Sequence, residues 1–70
     1  MRTGFNSSAI AEVAYCAEEM LLEIEFRAGS IYRYREVPEQ TYRDFLSAES
    51  KGTFFNRFVK NAFAFARTQP

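Results

Sequence analysis

The residues with chemistry to offer lie in two short stretches. Residues 50–60, "SKGTFFNRFVK", bring together Ser50, Lys51, Gly52, Asn56, Arg57 and Lys60. Hydroxyl and amide donors, a glycine turn, and cations beside the free backbone N–H groups of a helix start are a set that grips phosphate. Residues 32–35, "YRYR", alternate Tyr32 and Tyr34 with Arg33 and Arg35. Tyrosines exposed on a sheet stack on unpaired bases while neighbouring arginines hold the nucleic-acid backbone. Both stretches also have an ordinary reading. Serine and threonine cap helices, glycine turns the chain, and asparagine satisfies a local backbone group. Tyrosines at alternate positions pack under a covering layer.

Enzymatic chemistry finds little support. The chain has no histidine, so it lacks the usual acid–base group near neutral pH and the commonest metal ligand. No catalytic residue, metal site or cofactor is expected. The one cysteine, Cys16, is followed by acids and has no basic neighbour in sequence. It reads as a small buried hydrophobe rather than a nucleophile. A lone cysteine also excludes an internal disulfide, which points to a reducing, cytoplasmic setting. Glu12 interrupts the apolar run "AIAEVAYCA" and the opening "MRTGFNSS" is polar, so neither a signal peptide nor a membrane span is expected.

The formal charge is zero over 70 residues, but it is unevenly placed: residues 1–37 carry −2 and residues 38–70 carry +2, with no acid beyond Glu49. A local basic surface of this kind attracts phosphate despite the neutral total. Solubilising surface charge is the plain alternative.

These side chains must be positioned by a small domain whose core comes from aromatic bulk, eight Phe and four Tyr. "AIAEVAYC" reads as a first strand. "MLLEIEF" and "SIYRYREV" alternate apolar and polar residues with a period of two, which marks strands with one wet face. A three-residue loop at 27–29, with Gly29 left-handed, sets Leu22 opposite Tyr34, Ile24 opposite Tyr32 and Glu23 opposite Arg33. Tyr32 and Tyr34 then face the core, mainly in a structural role, and Arg33 and Arg35 lie among glutamates on the other face.

Pro38 starts a helix whose stripe of Tyr42, Phe45 and Leu46 covers the tyrosines. Gly52 closes it in a left-handed conformation and Thr53 caps a second helix. That helix buries Phe54, Phe55, Phe58, Val59, Ala62 and Phe63. The fold expected is α+β, a three-stranded antiparallel β-meander covered on one face by two C-terminal α-helices. Its parts are a flexible N-terminus (1–7), one domain (8–63) and a polar C-terminal tail (64–70) that frays.

The order of "SSAI", "LEIEFRAGSIYRYREVP" and "SKGTFFN" resembles the KTSC domain, a short module found at the C-terminus of some lysyl-tRNA synthetases and alone in small bacterial proteins. The resemblance covers about residues 7 to 60. Its YxY signature corresponds to Tyr32 and Tyr34, and its Ser-Lys-Gly turn to Ser50, Lys51 and Gly52. The "CAEEM" turn departs from it, lacking the Gly or Asp common there. Attachment to a tRNA-handling enzyme implies a non-enzymatic binding module for RNA, tRNA-like or single-stranded. The alternative is a protein-interaction module that docks on a larger enzyme or on itself through the sheet.

Overall fold

The computed structural model describes residues 2–69. Alternation in the middle of the chain produces the strands it predicts: β2 (Ile10–Cys16), β3 (Leu21–Phe26) and β4 (Ile31–Tyr34). In β3 Leu22 and Ile24 are fully buried, and the alternate Glu23 faces the other way to meet Arg33 of β4 at 2.9 Å. The β3–β4 register pairs Leu22 with Tyr34, Glu23 with Arg33 and Ile24 with Tyr32. The hairpin closes through a Gly29 N–H to Phe26 carbonyl bond, with Gly29 at φ 104. Only glycine adopts that backbone cheaply.

The meander is the centre of a larger sheet. Two further antiparallel strands, β1 (Arg2–Gly4) and β5 (Phe65–Gln69), flank it in the order β1-β2-β3-β4-β5. The expectation of three strands is corrected to five, and the added strands come from the segments expected to be loose. β1 has only three residues, and β5 carries a single large apolar side chain, so neither gives a strong periodic signal. An irregularity in β2 between Ile10 and Glu12 inserts an extra residue. It resets the phase of alternation, and Ile10 and Val13, three apart, both face the core.

The helical layer lies between β4 and β5 in sequence and covers one face of the sheet. It comprises α1 (Glu39–Ser47), the short α2 (Lys51–Phe54) and a π-helical turn, Phe55–Val59, running on from α2. Pro38 is the residue before α1. Tyr42 and Phe45 are buried, as their spacing predicts. Tyr42 stacks on Tyr15 at 5.0 Å, and the Tyr15 hydroxyl donates to the Val37 carbonyl at 2.5 Å.

The π turn explains where the second helix departs from expectation. Lys60 N–H bonds to the Phe55 carbonyl, five residues back, at 2.9 Å. One extra residue in the turn keeps Phe55 and Val59 in the core but swings Phe58 outward, leaving it 53% exposed. Ala62 is exposed as well.

Candidate functional site

The Ser-Lys-Gly turn is built differently from its sequence reading. Ser50, not Thr53, caps α2: its Oγ accepts from the Thr53 N–H at 3.2 Å. Gly52 lies inside α2 without a left-handed φ. Lys51 turns back to the end of α1, where its Nζ donates to the carbonyls of Leu46 at 2.8 Å and Ala48 at 2.6 Å. The same ammonium stands 4.8 Å from the centre of the Phe5 ring. It satisfies carbonyls that a helix end leaves free, and so couples α1, α2 and the segment after β1.

Gly52 therefore serves no turn, and a methyl group added there meets nothing within 4 Å. Gly52→Ala is expected to stabilise the domain by about 0.5–1 kcal/mol through lost unfolded-state freedom. Thermal melting would show a rise of a few degrees, and a fall would mean that the glycine backbone is needed.

The six residues singled out around this turn do not converge on one hollow. Ser50, Lys51 and Gly52 border a polar depression with Asn6, Ser7 and Glu49. Asn56 and Arg57 are exposed outside it, with the Arg57 guanidinium 5.8 Å from the Phe58 ring. Lys60 belongs to a separate cleft of about 610 Å³.

That cleft is the more developed site, and the YxY pair forms its floor. Tyr34 is 2% exposed and Tyr32 half-buried, their rings stacked with centres 6.4 Å apart. The β4–β5 register puts Phe65 beside Tyr34 and Arg67 beside Tyr32 on the same face. Phe65 lies 5.4 Å from both tyrosine rings and stays 51% exposed. Phe26 and Phe55 complete the wall at 5.3 Å from each other.

Cations rim this apolar basin. Arg27 and Lys60 line it, and no acid does among the described residues. Arg27 is fixed by bonds to the carbonyls of Phe5 at 2.8 Å and Ser7 at 3.0 Å. Arg67 sits 5.9 Å from the Tyr32 ring and donates to Ser30 Oγ at 2.9 Å. Burial, with Tyr32 alongside, pushes the Tyr34 phenol up to about 12, so it is a neutral donor at ordinary pH. Its hydroxyl bonds to no described residue and is not sealed from solvent. Sequence reading missed Phe26, Phe65 and Arg67 as site residues. The period-two "FAR" was the available signal for the last two.

Elsewhere Cys16, expected to be buried, is exposed at the end of β2. Among the described residues no group of three or more His, Cys, Asp or Glu is placed to hold a metal ion, and no helix is long and apolar enough to cross a membrane.

The sequence profile of the KTSC domain matches residues 6–63, most of the chain. The chain belongs to the KTSC domain family. Its structure superposes on a crystal structure of a KTSC domain protein from Yersinia pestis with a TM-score of 0.92 at 38% identity, covering 97% of this chain and 96% of that one. A protein of Tsukamurella paurometabola is 44% identical over 83% of this chain and 87% of its own length. A lysine–tRNA ligase of Nostoc punctiforme is 41% identical over 86% of this chain, which corresponds to 11% of the ligase. KTSC domains thus occur both within lysyl-tRNA synthetases and as small proteins.

Proposed function

We propose that this KTSC domain is a non-enzymatic RNA-binding module. It holds phosphates through the π turn that follows α2 and the residue after it, with Ser50, Lys51 and Gly52 shaping the start of α2 and Asn56, Arg57 and Lys60 offering the contacts. The reading is carried by the charge of that surface: from Ser50 onward the chain has cations and no acid. Arg57 and Lys60, three residues apart, are both exposed. Exposed cations beside exposed rings, such as Arg57 over Phe58, are the footprint of proteins that hold nucleic acid by backbone charge and stacking. The kinship with segments of lysine–tRNA ligases makes tRNA the first probe to try.

The test is a salt titration of binding to a tRNA transcript. Two phosphate contacts give a log–log slope near −1.4 to −1.8, so Arg57→Gln with Lys60→Gln should flatten the wild-type slope by roughly that amount. Lys51 is left intact because it anchors α1. Binding that ignores salt, or a slope unchanged in the double variant, would defeat the proposal.

A second reading has its own support. On the sheet face opposite the helices Arg33 is exposed, and β1 and β5 are the edge strands of the sheet. Docking onto a larger enzyme or a second copy through this face predicts a mass that rises with concentration in sedimentation, or a partner retained after nuclease treatment.

A further inference from the structure

We propose that the aromatic cleft is the pocket for one unpaired base of the bound RNA, which rests on the RNA reading above. Three observations carry it. The first is shape: about 610 Å³ lined by aromatic rings falls in the range of sites that take one flat organic molecule. A base pair inside a duplex cannot present its face there, so the occupant is a nucleotide from a loop or an end.

The second is the exposure of the rings. Phe65 is 51% exposed and Tyr32 half-buried, although both touch the rings around them. Two adjoining open aromatic faces are a stacking platform, and every base has a face to offer.

The third is charge. Arg27, Lys60 and Arg67 surround the basin with no acid among its described lining residues. An apolar peptide side chain has no use for such a rim, whereas a nucleotide brings a phosphate with its base. Arg27 and Arg67 are held by hydrogen bonds, while the Lys60 ammonium has no partner among the described residues. Lys60 is the cation free to take the phosphate. It also stands at the junction of the cleft with the surface proposed above, so one strand can run from the π turn into the basin. Tyr34 and Asn61 are also among the lining residues, and a phenol and an amide are groups that can bond to a base edge.

The experiment compares a short oligouridylate carrying one 2-aminopurine with a ribose–phosphate strand of equal length that has no bases. The wild-type protein should quench the fluorophore and bind the base-free strand roughly tenfold more weakly. Phe65→Leu, which keeps apolar bulk at an exposed position, should cost about the same tenfold on the intact strand. It should leave the base-free strand and the salt slope unchanged. Tyr32→Leu should act likewise, and Phe65→Leu decides the matter if the tyrosine variant melts early. Salt-dependent binding that is equal for both strands would overturn the base pocket and leave the RNA reading standing. No salt-dependent binding of either strand would end both. Self-association in sedimentation that Phe65→Leu abolishes would give the cleft to a second copy and overturn the assignment.

Discussion

Tyr34→Ala is expected to destabilise the domain by about 3–5 kcal/mol, the usual cost of emptying a buried aromatic site. A 70-residue chain has roughly 4–10 kcal/mol in total, so the variant stands near the limit of folding. The ring is 2% exposed and fixed edge-on to Phe55 at 5.8 Å, with Phe65 at 5.4 Å and Leu22 opposite it on β3. Its removal opens the core at the place where the sheet meets the π turn. Tyr34→Phe should be close to neutral, since the hydroxyl has no bond to a described residue to lose. Thermal melts of the pair separate ring from hydroxyl, and an unchanged melting point in Tyr34→Ala would put the ring in solvent.

The same residue sets an alkaline limit. Its phenol titrates near 10 when unfolded and is pushed up to about 12 by burial in the fold. Ionisation therefore favours the unfolded chain. The stabilising contribution is complete below pH 10 and disappears as pH climbs toward 12. Tyr34→Phe should flatten the fall of the urea midpoint across that window. A residual slope should persist, because burial also raises Tyr15, whose hydroxyl is bonded to the Val37 carbonyl. An alkaline profile identical in both proteins would contradict the burial of the phenol.

What could be read from the sequence was decided by local chemistry with few solutions. Between Phe26 and Ser30 the position of Gly29 admits one sensible closure, and a one-residue slip would have set Ile24 against Arg33. The register and the core-facing tyrosines follow from that. The stripe Tyr42, Phe45, Leu46 likewise allows one helix face. The failures have two causes: local geometry that leaves no mark in the residue pattern, and partners that are distant in sequence. Lys51 reads as a free cation until the end of α1 is placed beside it. Phe58 reads as core because the π turn leaves no local mark. The cleft was invisible because its wall is assembled from Phe26, Phe55 and Phe65 on three separate elements, and because Phe65 and Arg67 join Tyr34 and Tyr32 only when β5 pairs with β4. "YRYR" supplied the floor without the rim.

Deleting residues 65–70 tests that pairing most directly. If the end of the chain merely frayed, trimming it would change neither melting nor exchange. In the structure Tyr34 pairs with Phe65, Arg33 with Ala66 and Tyr32 with Arg67, and Thr68 Oγ1 bonds to the Ile31 carbonyl at 3.2 Å. Deletion removes these ladder bonds at about 1 kcal/mol net each and two aromatic contacts at about 0.5–1.5 kcal/mol each. The regained chain freedom applies to a short segment only and offsets part of the loss. The expected result is a net cost of about 2–4 kcal/mol, a fall in melting temperature on the order of 10–20 °C. Faster amide exchange in Ile31–Tyr34 should accompany it. β4 then becomes a bare edge whose tyrosines have lost the cover of Phe65, so the truncated chain should also aggregate more readily on warming. The base-dependent part of strand binding should vanish with Phe65 and Arg67, while the salt-dependent part, held by Arg57 and Lys60, survives in whatever fraction stays folded. A truncated protein that melts like the full chain and still distinguishes bases from bare backbone would remove β5 from both the fold and the site.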